Sequence, residues 1–134
     1  MYTQSQQALL DQFNALRSWE DRYRTIMRLG KTLPRIDDSL RVDEALLHGC
    51  ESKVWFHARK HQQGVELTVD SDAKIVKGLI SIIVSAYQDL STAQIAKFDC
   101  ENFLIELGLL NHLSPSRGNG IKAIIQAIKD TAQE

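Results

Sequence analysis

The stretch His48-Gly49-Cys50-Glu51-Ser52 carries the residue types best suited to chemistry in this chain. A thiol in a turn can be exposed or hidden by a small backbone change, and a glycine beside it lets the chain bend tightly. That placement suits a sulfur nucleophile, which needs access, a supply of thiolate, and shelter for its product from competing thiols. His48 and Lys53 are close enough in sequence to favour the thiolate, whereas Glu51 opposes it. Cys50 also fits a small buried hydrophobe, the usual state of a lone cysteine. Cys100, at a helix start after Phe98-Asp99, reads as core packing or incidental exposure.

Other reactive patterns are weaker. Two cysteines and His48, His57, His61 and His112 show neither CxxC nor HExxH spacing, so no metal site is expected. His57 reads as a solvent-facing strand residue. Gly118-Asn119-Gly120 lacks both the GxxxxGK[ST] and GxGxxG patterns and reads as turn chemistry. Arg117, between Ser116 and Gly118, can present an outward anion-binding fork, although an ordinary surface arginine has the same signature. Asp72 reads first as a helix N-cap. Trp19, Tyr23 and Trp55 fall on apolar faces and are expected in the core.

The elements that must position these groups follow from periodicity. Leu9, Leu10, Phe13 and Leu16 predict a helix over 5–16; Ser18 then caps a second, with Trp19, Tyr23, Ile26 and Met27 on its inner face and Gly30 as its left-handed stop before Leu33-Pro34. Residues 40–47 are ambiguous between helix and strand, with an extended end near Leu46. Alternation through Lys53–Lys60 and again at Val65, Leu67 and Val69 predicts a β-hairpin closed by His61-Gln62-Gln63-Gly64. Asp70-Ser71-Asp72 supplies acceptors for the amides of a helix bearing Ile75, Val76, Leu79, Ile80, Ile83 and Tyr87, which should pack on the hairpin. Short helices are expected around Ile95 and from Asp99 to Gly108. A loop-rich passage, Asn111 to Gly120, then leads into a last helix with Ile121, Ile124, Ile125 and Ile128 inside. Helices, then strands, then helices predict an α+β domain spanning residues 1–134.

Composition bounds the functional classes. With 134 residues and 43% hydrophobic residues, the chain has the material for one core, and 16 basic against 17 acidic residues give a net charge of −1. Nothing in that balance draws the chain toward nucleic acid or an anionic membrane. The apolar run from Gly78 to Tyr87 is about ten residues, short of the roughly 20 a membrane span takes. Met1 to Gln7 has no basic or apolar leader pattern, so the cytoplasm is expected, with both thiols free.

Taken together, five motifs carry a family resemblance: Trp19-Glu20-Asp21-Arg22-Tyr23, Leu29-Gly30-Lys31-Thr32-Leu33-Pro34, Gly49-Cys50-Glu51-Ser52-Lys53-Val54-Trp55, Asp70 through Leu79, and Leu113-Ser114-Pro115-Ser116-Arg117-Gly118-Asn119-Gly120. In this order and spacing the chain resembles SufE and its relative CsdE. The resemblance implies a small curved antiparallel sheet packed against several helices, similar also to IscU. It further implies that Cys50 accepts persulfide sulfur from a pyridoxal-phosphate cysteine desulfurase of the SufS or CsdA type, stimulates that enzyme, and delivers the sulfur to a SufBCD-type scaffold for iron–sulfur cluster assembly. Arg117, Asp72, Glu51 and His48 would then serve partner binding or loop positioning. No resident cofactor is implied, and a homodimer is allowed. Glu51 matches CsdE and the Leu113–Arg117 motif matches SufE, so the partner branch stays open. A regulatory module with an inert Cys50 and an IscU-like scaffold are the competing classes, the scaffold being disfavoured by its need for several ligating thiolates. With no cofactor motif and no base paired to a nucleophile, independent catalysis is not expected.

Overall fold

The computed structural model describes residues 2–134. Among these, six α-helices surround one antiparallel hairpin: α1 (Gln4–Asn14), α2 (Trp19–Gly30), β1 (Val54–His61), β2 (Gly64–Ser71), α3 (Lys74–Tyr87), α4 (Thr92–Lys97), α5 (Cys100–Glu106) and α6 (Pro115–Ala132). The class is α+β, as the order of periodicities predicted. The sheet has two strands in register from Val54 opposite Ser71 to His61 opposite Gly64, extended by a single bridge from Leu46 to Trp55. Residues 38–47 resolve the ambiguous segment into two 3-10 turns, Asp38–Leu40 and Asp43–Ala45, followed by an extended Leu46.

Polar side chains at the helix starts satisfy amides that have no intrahelical partner. Ser18 accepts from Asp21, Ser91 from Gln94, Asp99 from Asn102 and Ser114 from Arg117. At α3 the expected cap is corrected: Ala73 is the N-cap residue, its amide donates to Ser71 Oγ, and Asp72 turns elsewhere. At α6 the helix starts at Pro115, earlier than expected. The Ser114-Pro115 pair is an N-cap followed by a proline at N1, where the missing N–H costs nothing. Gly118-Asn119-Gly120 is therefore helical, not a turn.

The core is built from one face of every helix, with α3 at its centre. Ile80, Ile82 and Ala86 are fully enclosed, packed with Phe13, Ile26, Phe103, Leu109 and Ile128. Helix α3 also crosses α2, and the crossing explains Gly30 differently from the sequence reading. Gly30 ends α2 without a left-handed conformation and meets Gly78 directly, so the two backbones approach where no side chain fits. A Cβ on Gly78 would lie 2.1 Å from the Ile26 carbonyl oxygen. Gly78→Ala should therefore cost about 2 kcal/mol in urea unfolding, overpacking outweighing the gain in helix propensity. A neutral or stabilising result would contradict this account of the crossing.

Two aromatic expectations are revised. Tyr23 is 41% exposed and does not join the core. Trp55 is buried apart from the main core, with Ile36 and Ala45 beside it and the Arg41 guanidinium 4.5 Å from its ring. Trp19 is half-buried and stacks on His112. His57 is also partly buried: its Nε2 lies 2.8 Å from the Leu40 carbonyl oxygen, so the 38–47 segment covers the face that alternation alone assigned to solvent. Among the described residues no helix is long and apolar enough to cross a membrane.

Candidate functional site

The Cys50 loop is held at both ends. On one side the Leu47 amide donates to the Val54 carbonyl, continuing the ladder begun by Leu46 and Trp55. On the other, the Lys53 amide donates to Asp72 Oδ1 at 3.2 Å, while Ser71 Oγ and the Asp72 amide donate to the Lys53 carbonyl. These bonds to the end of β2 occupy the Asp72 carboxylate that the sequence assigned to capping. Between the anchors, Gly49 takes φ +86°, a left-handed conformation that turns the chain at little steric cost.

Beneath this pair of anchors, Asp70 is fully buried and carries a charge. Its Oδ2 accepts from the Ile36 amide and from Arg41, and its Oδ1 accepts from the Ser71 amide and lies 3.0 Å from Lys77 Nζ. Burial would raise its pKa, but hydrogen bonds from Arg41 and Lys77, with those of the two amides, prevail and hold it below its ordinary value. Sequence reasoning missed this cluster. Its partners are distant along the chain, and the only local signal was an acidic residue at the inner end of a strand.

Cys50 is half-buried and free. Its side chain turns inward from the loop, and Sγ lies 3.8 Å from the Gly120 carbonyl oxygen as a weak donor. Beside it is a cavity of about 270 Å³ lined by Val54, Val76, Leu79, Ile121 and Ile124. Glu51, Ser52, Ser116, Arg117 and Gly120 complete the lining. Glu51 and Arg117 are exposed, so the chamber has an apolar interior and charged residues on its solvent side.

The structure thus brings Cys50, Glu51 and Arg117 to one cavity and places Asp72 at the foot of the loop. His48 is exposed on the same loop and is not part of the lining. The Arg117 amide is tied to Ser114 Oγ, and its side chain is exposed. Cys100 belongs elsewhere. It is fully buried against the core, where burial pushes its thiol up to about 12. Among the described residues no group of three or more His, Cys, Asp or Glu side chains converges as metal ligands would.

A family model described as "SufE: Fe-S metabolism associated domain" matches residues 7–132. The chain belongs to the SufE family. A SufE-family protein is associated with iron–sulfur metabolism, and the match spans every helix and strand described here apart from the first residues of α1. The fold is shared with a solution structure of a hypothetical protein from Thermus thermophilus, with a TM-score of 0.78 at 18% identity over 99% of this chain and 96% of that one.

The sequence left the resting state of the thiol in this SufE-family chain open. In sequence His48 and Lys53 stood for the thiolate and Glu51 against it; in the structure none of them decides the matter, because burial disfavours the charged form and pushes the Cys50 thiol up from its ordinary value. In the free protein, alkylation by iodoacetamide should therefore follow a pH midpoint above that of free cysteine, returning toward the free value in denaturant. A native midpoint below the denatured one would mean that the loop stabilises the thiolate.

Proposed function

We propose that the chain accepts sulfur on Cys50 from a cysteine persulfide carried by a pyridoxal-phosphate cysteine desulfurase, stimulates that enzyme, and passes the sulfur on for iron–sulfur cluster assembly. The observation that carries this reading is the placement of the half-buried thiol beside an apolar cavity, at the end of a loop anchored on both sides. At about 270 Å³ the cavity has room for an added sulfur, an atom not far in size from a water molecule's share of liquid volume, about 30 Å³.

The reaction is a thiol exchange. Cys50 Sγ, as thiolate, attacks the terminal sulfur of the partner's persulfide; a new S–S bond forms to that sulfur, the partner's S–S bond breaks, and its cysteine leaves as a thiolate that takes up the proton. One S–S bond replaces another, so no external oxidant or reductant is consumed. The buried resting thiol is a poor nucleophile, so attack requires the loop to turn outward against the partner, an equilibrium that docking biases. Gly49 permits the turn and the two anchors confine it. Return to the cavity then shields the persulfide from reductants.

Within this reading Asp72 positions the loop through its bond to the Lys53 amide, and Arg117, Glu51 and His48 form the partner-facing surface. The partner is a desulfurase of the SufS or CsdA type, the recipient is a SufBCD-type scaffold, and the setting is the cytoplasm. Incubation with such a desulfurase and free cysteine should leave reductant-releasable sulfur on the chain and raise the enzyme's cysteine turnover. Neither effect with either desulfurase type would overturn the reading.

A further inference from the structure

Gly120 is the glycine whose missing side chain faces the candidate nucleophile. A Cβ built there would sit 3.5 Å from Cys50 Sγ and 3.8 Å from both Cys50 Cα and Cβ, so the thiol rests against bare backbone of α6. The spacing is selective. At 3.5 Å a methyl would touch the resting thiol without a clash. A second sulfur, bonded about 2.05 Å from Sγ, needs clearance of its own from the same wall. The carbonyl of the same residue restricts it further. The Gly120 carbonyl oxygen lies 3.8 Å from Sγ, so an outer sulfur pointed straight at it would stand about 1.8 Å from the oxygen, well inside contact distance, and that direction is closed. Gly120 also lines the cavity beside Cys50, so its bare Cα borders the space open to an inward-turned outer sulfur.

We propose that Gly120 is a positioning residue for the loaded state: its bare Cα leaves the clearance that lets a Cys50 persulfide turn inward and stay sheltered. The proposal rests on the acceptor reading and adds to it the residue that makes the cavity fit a persulfide as well as a thiol. Substituting alanine leaves the thiol state undisturbed and biases the persulfide toward the outward loop, where reductants reach it.

Gly118 provides a matched comparison, because a Cβ there meets open space while lying in the same turn of α6. Parent, Gly120→Ala and Gly118→Ala are loaded with a cysteine desulfurase and free cysteine, separated from both, and exposed to excess dithiothreitol. That dithiol reduces the persulfide to the Cys50 thiol and hydrogen sulfide and is itself oxidised to its cyclic disulfide. Bound sulfur is followed with time. Whatever level it loads to, Gly120→Ala should lose its bound sulfur about tenfold faster than parent, equivalent to a bias of about 1.4 kcal/mol toward the open loop. Its reduced form should melt no lower than parent, and Gly118→Ala should match parent in sulfur lifetime. Equal lifetimes in all three would overturn the role of Gly120 and leave the acceptor reading standing, and equal shortening in both variants would assign the effect to helix propensity and overturn it too. Absence of sulfur from the parent would remove the acceptor reading and this proposal with it.

Discussion

Cys50→Ser should reduce sulfur acceptance from a desulfurase to background, a loss on the order of a thousandfold or more, while leaving the fold intact. Serine retains the shape and removes the chemistry. Its hydroxyl does not ionise near neutral pH, and the hydrogen bond of the parent thiol goes to the Gly120 carbonyl, which is no base. The half-buried position, with an acceptor already present, limits the stability change to about 1 kcal/mol. Desulfurase stimulation separates this account from its rival. If the chain were a regulatory module with an inert cysteine, Cys50→Ser would stimulate cysteine turnover as well as parent. An acceptor should lose the stimulation that depends on sulfur removal and keep its binding to the enzyme.

Asp70→Ala should lower stability at neutral pH by about 3 kcal/mol or more, the range for breaking a buried ion pair from one side. The carboxylate is fully buried and answers four donors: Arg41, Lys77 and the amides of Ile36 and Ser71. Removing it leaves two cations facing each other across the end of β2, their side chains only 21% and 22% exposed. Urea unfolding of parent and variant checks the magnitude, and pH checks the cause. Because the folded carboxylate titrates below its unfolded value, its contribution is complete above the unfolded pKa of about 3.9 and is lost as pH falls through the folded pKa. The gap between parent and variant should therefore narrow in acid. A gap unchanged with pH would point to packing alone. Since Ser71 and Asp72 anchor Lys53, the variant should also loosen the Cys50 loop and speed its alkylation.

How far the sequence reached depends on the range of the interaction. Short-range signals were legible: Ser18 and Asp99 each start a helix by accepting from an amide three residues on, and the alternation of Val54 to Ala58 and Val65 to Val69 marked the hairpin. The start of α6 was present as Ser114-Pro115 but was outweighed by Gly118 and Gly120, two poor helix formers. Gly120 is nonetheless helical, and the Cys50 side chain rests against its backbone. The role of Gly30 requires Gly78, 48 positions away, and no reading of one helix contains the other. Asp70 likewise looked like one of three capping acceptors, because Arg41 and Ile36 reach it from a segment whose conformation was open. At the site itself, the loop and its cysteine were visible in the sequence, whereas the apolar cavity needed β1, α3 and α6 brought together.

The most direct measurement is peptide mass spectrometry of the chain after incubation with a cysteine desulfurase and free cysteine, with thiols and persulfides trapped by alkylation. Added sulfur is expected on the peptide containing Cys50 and none on the peptide containing the fully buried Cys100. Unmodified Cys50 alongside an active desulfurase, or sulfur found on Cys100 instead, would contradict the acceptor role.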